Sequence, residues 1–268
     1  MKRTLYISDL DGTLLNSQVE ISSYSADVIN RLVREQGLIF SYATARSPVT
    51  AFPVTKNLST NIPAVVYNGA FIVQNNKYIT ENYFDPSEIE FIKELTVKQG
   101  VFPIVYSMQS KCEKYSFLTS YKSRAQDDFI ASRNDYRKTP VNSVDDLYSG
   151  QVFHFSFIGE EDRLSEIHKM LRDRCVCYFH RDIYSGEMWL ELTRQGVTKA
   201  SSALKLKELL GCDELVAFGD AINDLPLFEA ADRCYAVENA CNEIKSAATG
   251  IIKSNDDNGV AKFLESIF

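Results

Sequence analysis

Two carboxylates stand two residues apart near the N-terminus, where the sequence reads Tyr-Ile-Ser-Asp-Leu-Asp-Gly-Thr over residues 6–13. If the apolar run Leu5–Ile7 is a buried strand, residues i and i+2 project to the same side. Asp9 and Asp11 then lie close together where the chain leaves the sheet. Two unpaired anions repel each other there, unless a divalent cation bridges them or one keeps a proton while the other attacks a substrate. The segment therefore predicts either a metal site or an acid beside a nucleophile.

Three further segments carry polar residues just after a predicted strand or at the start of a predicted helix: Ala43–Arg46, Lys199 and Gly219–Asp224. A lysine at a helix start is unfavourable, because the helix dipole prefers anions there, and a bound phosphate explains it better. The carboxylates of Gly219–Asp224 are suitable ligands for a hard metal ion. Loops that follow the strands of an open α/β sheet meet in one crevice. We therefore expect these segments and Asp9–Thr13 to form one site.

Apolar strands and amphipathic helices alternate at both ends of the chain. Ser22 or Ser23 caps a predicted helix that Gly37 closes, and a further apolar run is followed by the turn signal Asn68-Gly69. A last helix is predicted around Val260–Ile267. This alternation favours an α/β fold with a parallel sheet covered on both faces.

The middle of the chain, from about residue 82 to residue 192, has a different pattern. Asp85 followed by proline predicts a helix start. Residues 152–157 and 188–192 alternate in the manner of antiparallel strands with one covered face. Charged, loop-like segments are expected over residues 120–144. We therefore predict an α/β core of residues 1–82 and 193–268, interrupted by an inserted α+β domain of residues 83–192.

The composition narrows the class of protein. A hydrophobic content of 45% with 24% charged residues is ordinary for a globular protein. The formal net charge of −7 argues against nucleic acid or an anionic membrane as a partner. No segment has the pattern of a signal peptide or a membrane span. The six cysteines form no Cys-x-x-Cys pair, and without an export signal we expect reduced thiols and a cytoplasmic location. We also expect a monomer or small homo-oligomer.

The four motifs, in this order, resemble those of the haloacid dehalogenase (HAD) superfamily. The resemblance is closest to the Cof-type, sugar-phosphatase-like branch, and it covers essentially the whole chain because the closing segment Ser254–Val260 also fits that branch. It implies a Rossmann-like parallel-sheet core with an inserted cap domain. It further implies a Mg²⁺-dependent phosphatase that acts on small phosphorylated metabolites, such as sugar or polyol phosphates, through an aspartyl-phosphate intermediate.

The resemblance also implies roles for individual residues. Asp9 is the expected nucleophile, and Asp11 the expected general acid and base. The Mg²⁺ ligands would be the carboxylates of Asp9 and Asp220 and the main-chain carbonyl of Asp11. Asn223 and Asp224 would lie behind them or act through water, although Asn223 could instead reach the phosphate. Thr44 and Lys199 would hold the phosphoryl oxygens.

Substrate recognition is expected from both domains, and we predict these binding residues: Thr44, Arg46, Asn68, Arg181, Glu187, Lys199 and Asn223. Arg181 and Glu187 belong to a predicted cap loop over residues 180–187, whose polar groups suit a polyol and whose arginine suits a second anion. The alternative is that this loop is ordinary polar surface. Substrate identity is the property that the motifs leave open.

Two departures from the branch pattern stand out. Ala45 replaces the glycine that commonly lies between threonine and arginine, and Glu238 replaces another common glycine. Neither is the nucleophile, so we expect activity, and the two departures leave the substrate preference open. A phosphomutase and a non-catalytic phosphometabolite-binding regulator are the alternatives to a phosphatase. Dehalogenase chemistry is disfavoured, because it needs neither the second aspartate nor a metal.

Overall fold

The computed structural model describes residues 2–59, 63–75, 77–121, 123–181 and 185–268. The chain forms two compact units. One, called the core unit, comprises Met1–Glu81 and Val197–Phe268, and the other, called the cap unit, comprises Asn82–Gly196.

Strands and helices alternate through the core unit on both sides of the cap unit. The first part of the core unit has β1 (Thr4–Ser8), α1 (Ser23–Gln36), β2 (Ile39–Tyr42), α2 (Pro48–Thr55), β3 (Ala64–Val66), β4 (Phe71–Gln74) and β5 (Lys77–Glu81). The cap unit has α3 (Pro86–Gln99), β6 (Ile104–Gln109), β7 (Cys112–Leu118), α4 (Arg124–Ser132), β8 (Lys138–Val141), α5 (Val144–Leu147), β9 (Gln151–Gly159), α6 (Glu161–Leu171), β10 (Cys175–Arg181) and β11 (Met188–Arg194). The second part of the core unit has α7 (Lys199–Leu209), β12 (Glu214–Gly219), α8 (Leu225–Ala230), β13 (Arg233–Val237), α9 (Asn242–Ala247), β14 (Gly250–Ile252) and α10 (Gly259–Ile267).

The core unit is built on a parallel sheet with the strand order β14-β13-β12-β1-β2. β1 lies between β12 and β2, and its last residue, Ser8, pairs with Phe218 on one side and with Tyr42 on the other. The three strands therefore end at the same level. A bridge between Ala43 and Val65 brings β3 alongside β2, and β3, β4 and β5 form an antiparallel extension.

Helix α1 shows why the local sequence produces these elements. The Ser22 side chain accepts a hydrogen bond from the backbone N–H of Ser25, and Gly37 ends the helix in the left-handed conformation at φ 70°. Val28, Ile29 and Leu32 form the buried stripe between these ends. Both predicted ends of this helix are confirmed.

The cap unit contains a six-stranded sheet with the order β10-β11-β9-β6-β7-β8. All neighbouring strands are antiparallel except β7 and β8. One face of the sheet, including Phe155, Phe157 and Leu190, packs in an apolar cluster with α3 and α6. Helix α3 begins as predicted at Asp85, whose side chain and that of Glu88 form a capping box.

The expectation of loop-like segments over residues 120–144 is wrong, because this stretch contains α4 and β8. Helix α4 buries only Gln126 and Ile130, and one of those is polar. It therefore lacks the apolar stripe by which a helix is recognised in a sequence. Strand β8 has only four residues and contains a proline, so its sequence does not indicate a strand.

The predicted fold class is confirmed: a parallel α/β core accompanies a unit with a mainly antiparallel sheet. Among the described residues, no helix combines the length and apolar character needed to cross a membrane.

Candidate active site

Asp9 is the first residue beyond β1, which lies between β12 and β2 in the core sheet. Its backbone N–H donates to the Phe218 carbonyl at 2.9 Å, and the N–H of Ala43 donates to the Ser8 carbonyl at 2.9 Å. The hydrogen-bond ladder thus continues on both sides of β1 up to the point where Asp9 leaves it. Asp9 is buried, so its carboxylate is held in a low-dielectric environment at the edge of the sheet.

A turn over Leu10–Leu14, kinked at Asp11 and Gly12, follows Asp9, the predicted nucleophile. Gly12 has φ 75°, and a Cβ at this position would lie 2.5 Å from Asp220 Oδ2, so the turn requires glycine. The Thr13 hydroxyl donates to Asp220 Oδ1 at 2.8 Å, and Asn239 Nδ2 donates to the Gly12 carbonyl at 2.7 Å. These contacts fix the turn against the loop after β12, which holds Asp220, and the loop after β13, which holds Asn239.

Sequence reasoning assigned no role to Thr13 or Asn239. Thr13 could have been found, because it belongs to the same short motif as Asp9. Asn239 had no comparable signal, since it lies 227 positions from the carbonyl that it holds.

Lys199 connects two carboxylates at the start of α7. The Thr198 side chain caps this helix by accepting from the Ser201 N–H. Lys199 Nζ donates to Asp9 Oδ1 at 2.6 Å and to Asp224 Oδ1 at 2.7 Å, and its side chain is only 1% exposed. Burial alone would lower the pKa of Lys199, but Asp224 and Asp9 outweigh it and raise that pKa. The lysine is therefore a permanent cation of the site.

The carboxylates around Lys199 carry more negative charge than the lysine neutralises. Burial raises the pKa of Asp9 well above its ordinary value; Lys199 opposes this, while Asp224, Asp220 and Asp11 add to it. Burial and then Asp224 raise the pKa of Asp220 to about 6. An added cation would lower the free energy of the ionised carboxylates.

Three carboxylates converge closely enough to hold such a cation. Single oxygens of Asp9, Asp220 and Asp224 all lie within 4.8 Å of one another. Asp9 and Asp220 each keep one oxygen that receives no hydrogen bond from the described residues. Hard divalent cations such as Mg²⁺ take oxygen ligands of this kind. The donor set therefore fits the predicted metal.

Asp224 has a different position within the same group. One of its oxygens accepts from Lys199, and the other accepts from the backbone N–H groups of Asp220 at 3.1 Å and Ala221 at 3.3 Å. Both oxygens are thus already engaged, which agrees with a supporting place behind the metal ligands. The neighbouring Asn223 carries a buried Oδ1 without a partner among the described residues.

The loop after β2 brings Arg46 against Asp11. Arg46 Nε donates to Asp11 Oδ2 at 2.7 Å, and Nη2 donates to Oδ1 at 2.5 Å, which makes a bidentate pair. Both side chains are partly exposed. The substrate-binding role predicted for Arg46 stays a prediction, and the structure adds its contact with the predicted acid–base carboxylate. This pair could not be predicted from the sequence, because the two residues are 35 positions apart.

Thr44 lies in the same loop and is almost fully buried. Its backbone N–H donates to the Val65 carbonyl at 3.0 Å, and its hydroxyl oxygen accepts from the Arg46 N–H at 3.1 Å. No described residue accepts the hydroxyl proton, so Thr44 can donate it to a ligand.

The turn after β3 carries Asn68. The residues Tyr67, Asn68 and Gly69 have φ values of 50°, 51° and 104°. The Asn68 N–H donates to the Thr44 carbonyl at 3.0 Å, and the Ser202 hydroxyl donates to the Gly69 carbonyl at 2.7 Å. The turn is therefore tied to the Thr44 loop on one side and to the first turn of α7 on the other.

The two predicted cap residues lie in the cap unit at the end of β10 and just before β11. Arg181 donates to Glu161 at 2.6 Å and to the Gly186 carbonyl at 2.8 Å, and its side chain is 58% exposed. The backbone N–H of Glu187 donates to the Ser185 hydroxyl at 3.3 Å. Residues 182–184 of the predicted loop lie outside the described residues. All other predicted site residues lie in the core unit.

Asp9 lies buried at the carboxyl end of β1 and is joined to Lys199, as the resemblance to the haloacid dehalogenase hydrolases predicts. The sequence profile of the haloacid dehalogenase-like hydrolases matches residues 6–264. The chain belongs to that family, and the predicted resemblance is confirmed.

Individual relatives agree with this assignment over nearly their whole length. A Bacillus subtilis protein named 5-amino-6-(5-phospho-D-ribitylamino)uracil phosphatase YwtE is 27% identical, covering 97% of this chain and 96% of its own. An Escherichia coli protein with the same enzyme name, YbjI, is 23% identical over 100% of this chain and 97% of its own. The crystal structure of a haloacid dehalogenase-like hydrolase from Bacteroides thetaiotaomicron is 26% identical, with a TM-score of 0.79 and full coverage of both chains. The predicted enzyme class, a HAD-type phosphatase, is confirmed.

Proposed function

We propose that this chain is a Mg²⁺-dependent phosphatase of small phosphorylated sugars or polyols, and that Asp9 forms the aspartyl-phosphate intermediate. One observation carries the proposal. Lys199 holds one oxygen of the buried Asp9 carboxylate and leaves the other without a hydrogen-bond donor among the described residues. A carboxylate held in this way is oriented for attack, because one oxygen is fixed while the second keeps its lone pairs available.

The proposed reaction has two displacements. The free oxygen of Asp9 attacks phosphorus, and the bond to the ester oxygen breaks while Asp11 gives that oxygen a proton. Asp11, now a carboxylate, takes a proton from water, whose oxygen attacks the phosphoaspartate. The bond between phosphorus and Asp9 then breaks, and inorganic phosphate leaves with the carboxylate restored.

Charge must be neutralised in both displacements, because a phosphate monoester dianion repels a carboxylate. Mg²⁺, when held by Asp9, Asp220 and the Asp11 carbonyl, supplies that neutralisation. Lys199 adds a fixed positive charge, and its third proton is available to a phosphoryl oxygen. Thr44 adds a hydroxyl donor whose oxygen is already oriented by the Arg46 N–H.

Arg46 has a positioning role in this scheme. Its bidentate contact holds both oxygens of Asp11 in one plane and limits the rotamers of that side chain. A guanidinium pairs in this way with an ionised carboxylate, so one of the two hydrogen bonds gives way when Asp11 carries the proton that it donates. The remaining hydrogen bond keeps Asp11 oriented toward the leaving oxygen.

The substrate class is argued from the relatives and from the cap unit. YwtE and YbjI are named as phosphatases of a phosphorylated ribitylaminouracil, which is a polyol phosphate. Arg181 and Glu187 offer groups that suit hydroxyls or a second anion. We propose the same substrate class here, with a cytoplasmic location, since all six cysteines are free thiols.

The proposal is tested by phosphate release from a panel of sugar, polyol, nucleotide and cofactor phosphates, including 5-amino-6-(5-phospho-D-ribitylamino)uracil, with Mg²⁺ and with EDTA. Asp9→Asn is the inactive variant, and Asp27→Asn, an exposed position on α1, is its control. We expect metal-dependent release that Asp9→Asn abolishes and Asp27→Asn retains. No release from any ester by a folded protein would favour a mutase or a binding regulator instead.

A further inference from the structure

The side chain of Asn68 is unusual because it is buried and lacks a hydrogen-bond partner in the described part of the chain. It is 0% exposed, and neither its Nδ2 nor its Oδ1 has a hydrogen-bond partner among the described residues. Buried polar atoms are nearly always paired, since an unpaired amide loses its water and gains nothing in return. A buried amide with both atoms free therefore points to a ligand that is bound there during function.

The backbone around Asn68 connects this residue to two segments of the proposed phosphate site. The Asn68 N–H is bonded to the Thr44 carbonyl, and the N–H of Tyr67 is bonded to the Arg46 carbonyl at 3.0 Å. On the other side, Gly69 lies so close to the Thr198 carbonyl that any Cβ would overlap it. Thr198 immediately precedes Lys199. The asparagine is thus held between the segments of Thr44 and Lys199.

We infer that Asn68 Nδ2 donates a hydrogen bond to a non-bridging oxygen of the substrate phosphoryl group. This inference rests on the proposed phosphatase function and adds a third donor to Thr44 and Lys199. A phosphoryl group in transfer carries its charge on three equatorial oxygens and needs donors, not acceptors. An amide supplies a donor without adding another cation.

An alternative explanation is conformational. Asparagine tolerates the left-handed region better than most residues, so it could occupy this position only because of its φ of 51°. Two substitutions separate these explanations, because glycine and aspartate also tolerate this conformation. Asn68→Gly removes the amide and keeps the turn. Asn68→Asp keeps the shape and replaces the donor by an acceptor with a negative charge.

The experiment measures kcat/KM for the best ester of the panel and inhibition by inorganic phosphate, in the unaltered chain and in both variants. A donor role predicts that Asn68→Gly loses about 100-fold in kcat/KM and that Asn68→Asp loses more, because its carboxylate repels the phosphoryl group. Weaker inhibition by phosphate should follow the same order. Asn75→Gly is the matched control, since Asn75 is an exposed asparagine of the same unit at φ 50°. Mg²⁺-dependent thermal stabilisation should be the same in all four proteins.

Two results would overturn the inference. Asn68→Gly with unaltered kinetics would make the asparagine a conformational residue, and Asn68→Asp with unaltered kinetics would make it an acceptor. Failure of the proposed function is distinguishable, because the unaltered chain would then release no phosphate from any ester. In that case calorimetry with inorganic phosphate and Mg²⁺ decides: binding weakened by both variants supports the inference, and binding unchanged or absent overturns it.

Discussion

Each unit of this protein contains a buried cation between two carboxylates. The two groups differ in the kind of cation and in the pKa of the carboxylates around it. In the core unit Lys199 contacts Asp9 and Asp224. In the cap unit Arg137 contacts Glu113 at 2.6 Å and Asp135 at 2.8 Å, with only 4% of its side chain exposed. Arginine spreads these contacts over three nitrogens, because its Nε also donates to Asp135.

The carboxylates respond to the two cations in opposite directions. Hydrogen bonds from Arg137 lower the pKa of Asp135 against the effect of partial burial. Burial and neighbouring carboxylates raise the pKa of Asp9 and Asp220 despite Lys199. Arg137 therefore stabilises the ionised form of Asp135, while the carboxylates of the core group still favour another cation. A raised carboxylate pKa beside a buried lysine is typical of a reactive site, and a lowered one beside arginine is typical of structure.

The largest effect is expected from Lys199→Met. Loss of a fixed charge beside the nucleophile should lower kcat on the order of 1,000-fold for any ester. Steady-state kinetics measures this, with Lys205→Met, an exposed lysine on the same helix, as the control. A loss below tenfold would contradict the proposed role of Lys199.

Arg137→Met should lower the free energy of unfolding by about 3–5 kcal/mol, because it leaves Glu113 buried without its cation. Turnover of a small aryl phosphate by the folded protein should not change. Urea denaturation followed by circular dichroism measures the stability, and Arg124→Met, at an exposed ion pair, provides the comparison. Lost turnover in the folded Arg137→Met protein would mean that the cap group is also part of the site.

Mg²⁺ should raise the free energy of unfolding by about 2.7 kcal/mol at one hundred times its Kd, because it relieves the repulsion around Asp9. EDTA should reverse this, and Asp220→Asn should remove most of it. Thermal unfolding with and without Mg²⁺ is the measurement. An equal Mg²⁺ effect in Asp220→Asn would contradict the proposed ligand set.

Arg46→Gln should lower kcat by about 10- to 100-fold for an alkyl phosphate, part of what general acid–base catalysis contributes. A nitrophenyl phosphate should lose less, because its leaving group needs no proton. The ratio of kcat/KM for the two esters is therefore the decisive quantity. Arg31→Gln, which breaks a surface ion pair with Glu265, should change neither. Equal losses of activity on both esters would mean that Arg46 does not act through Asp11.

The smallest effect is expected in the cap loop. Arg181→Ala and Glu187→Ala should raise KM for the best polyol phosphate by about fivefold at most, since Arg181 is exposed and already paired. KM for a small aryl phosphate should stay the same. If both substrates respond alike, or neither does, these residues do not select the substrate.

The predictable part of the molecule is the part with strong periodicity. Helix α1 could be bounded from Ser22 and Gly37 because cap residues and the apolar stripe agree. The site residues could be grouped because parallel strands end at one edge. Helix α4 was not predicted because it has too few buried positions. The contact of Arg46 with Asp11 was not predicted because local sequence gives no information on side-chain pairing over 35 positions.

The place of β1 between β12 and β2 has a consequence for biosynthesis. A ribosome makes Asp9 before the cap unit, yet β12, Asp220 and Lys199 follow the cap unit and come about 190 residues or more after Asp9. The cap unit is continuous over Asn82–Gly196, so its residues are complete before those of the core unit. During synthesis β1 therefore keeps one edge unpaired while the cap unit is made, and the candidate site is completed only after the cap unit.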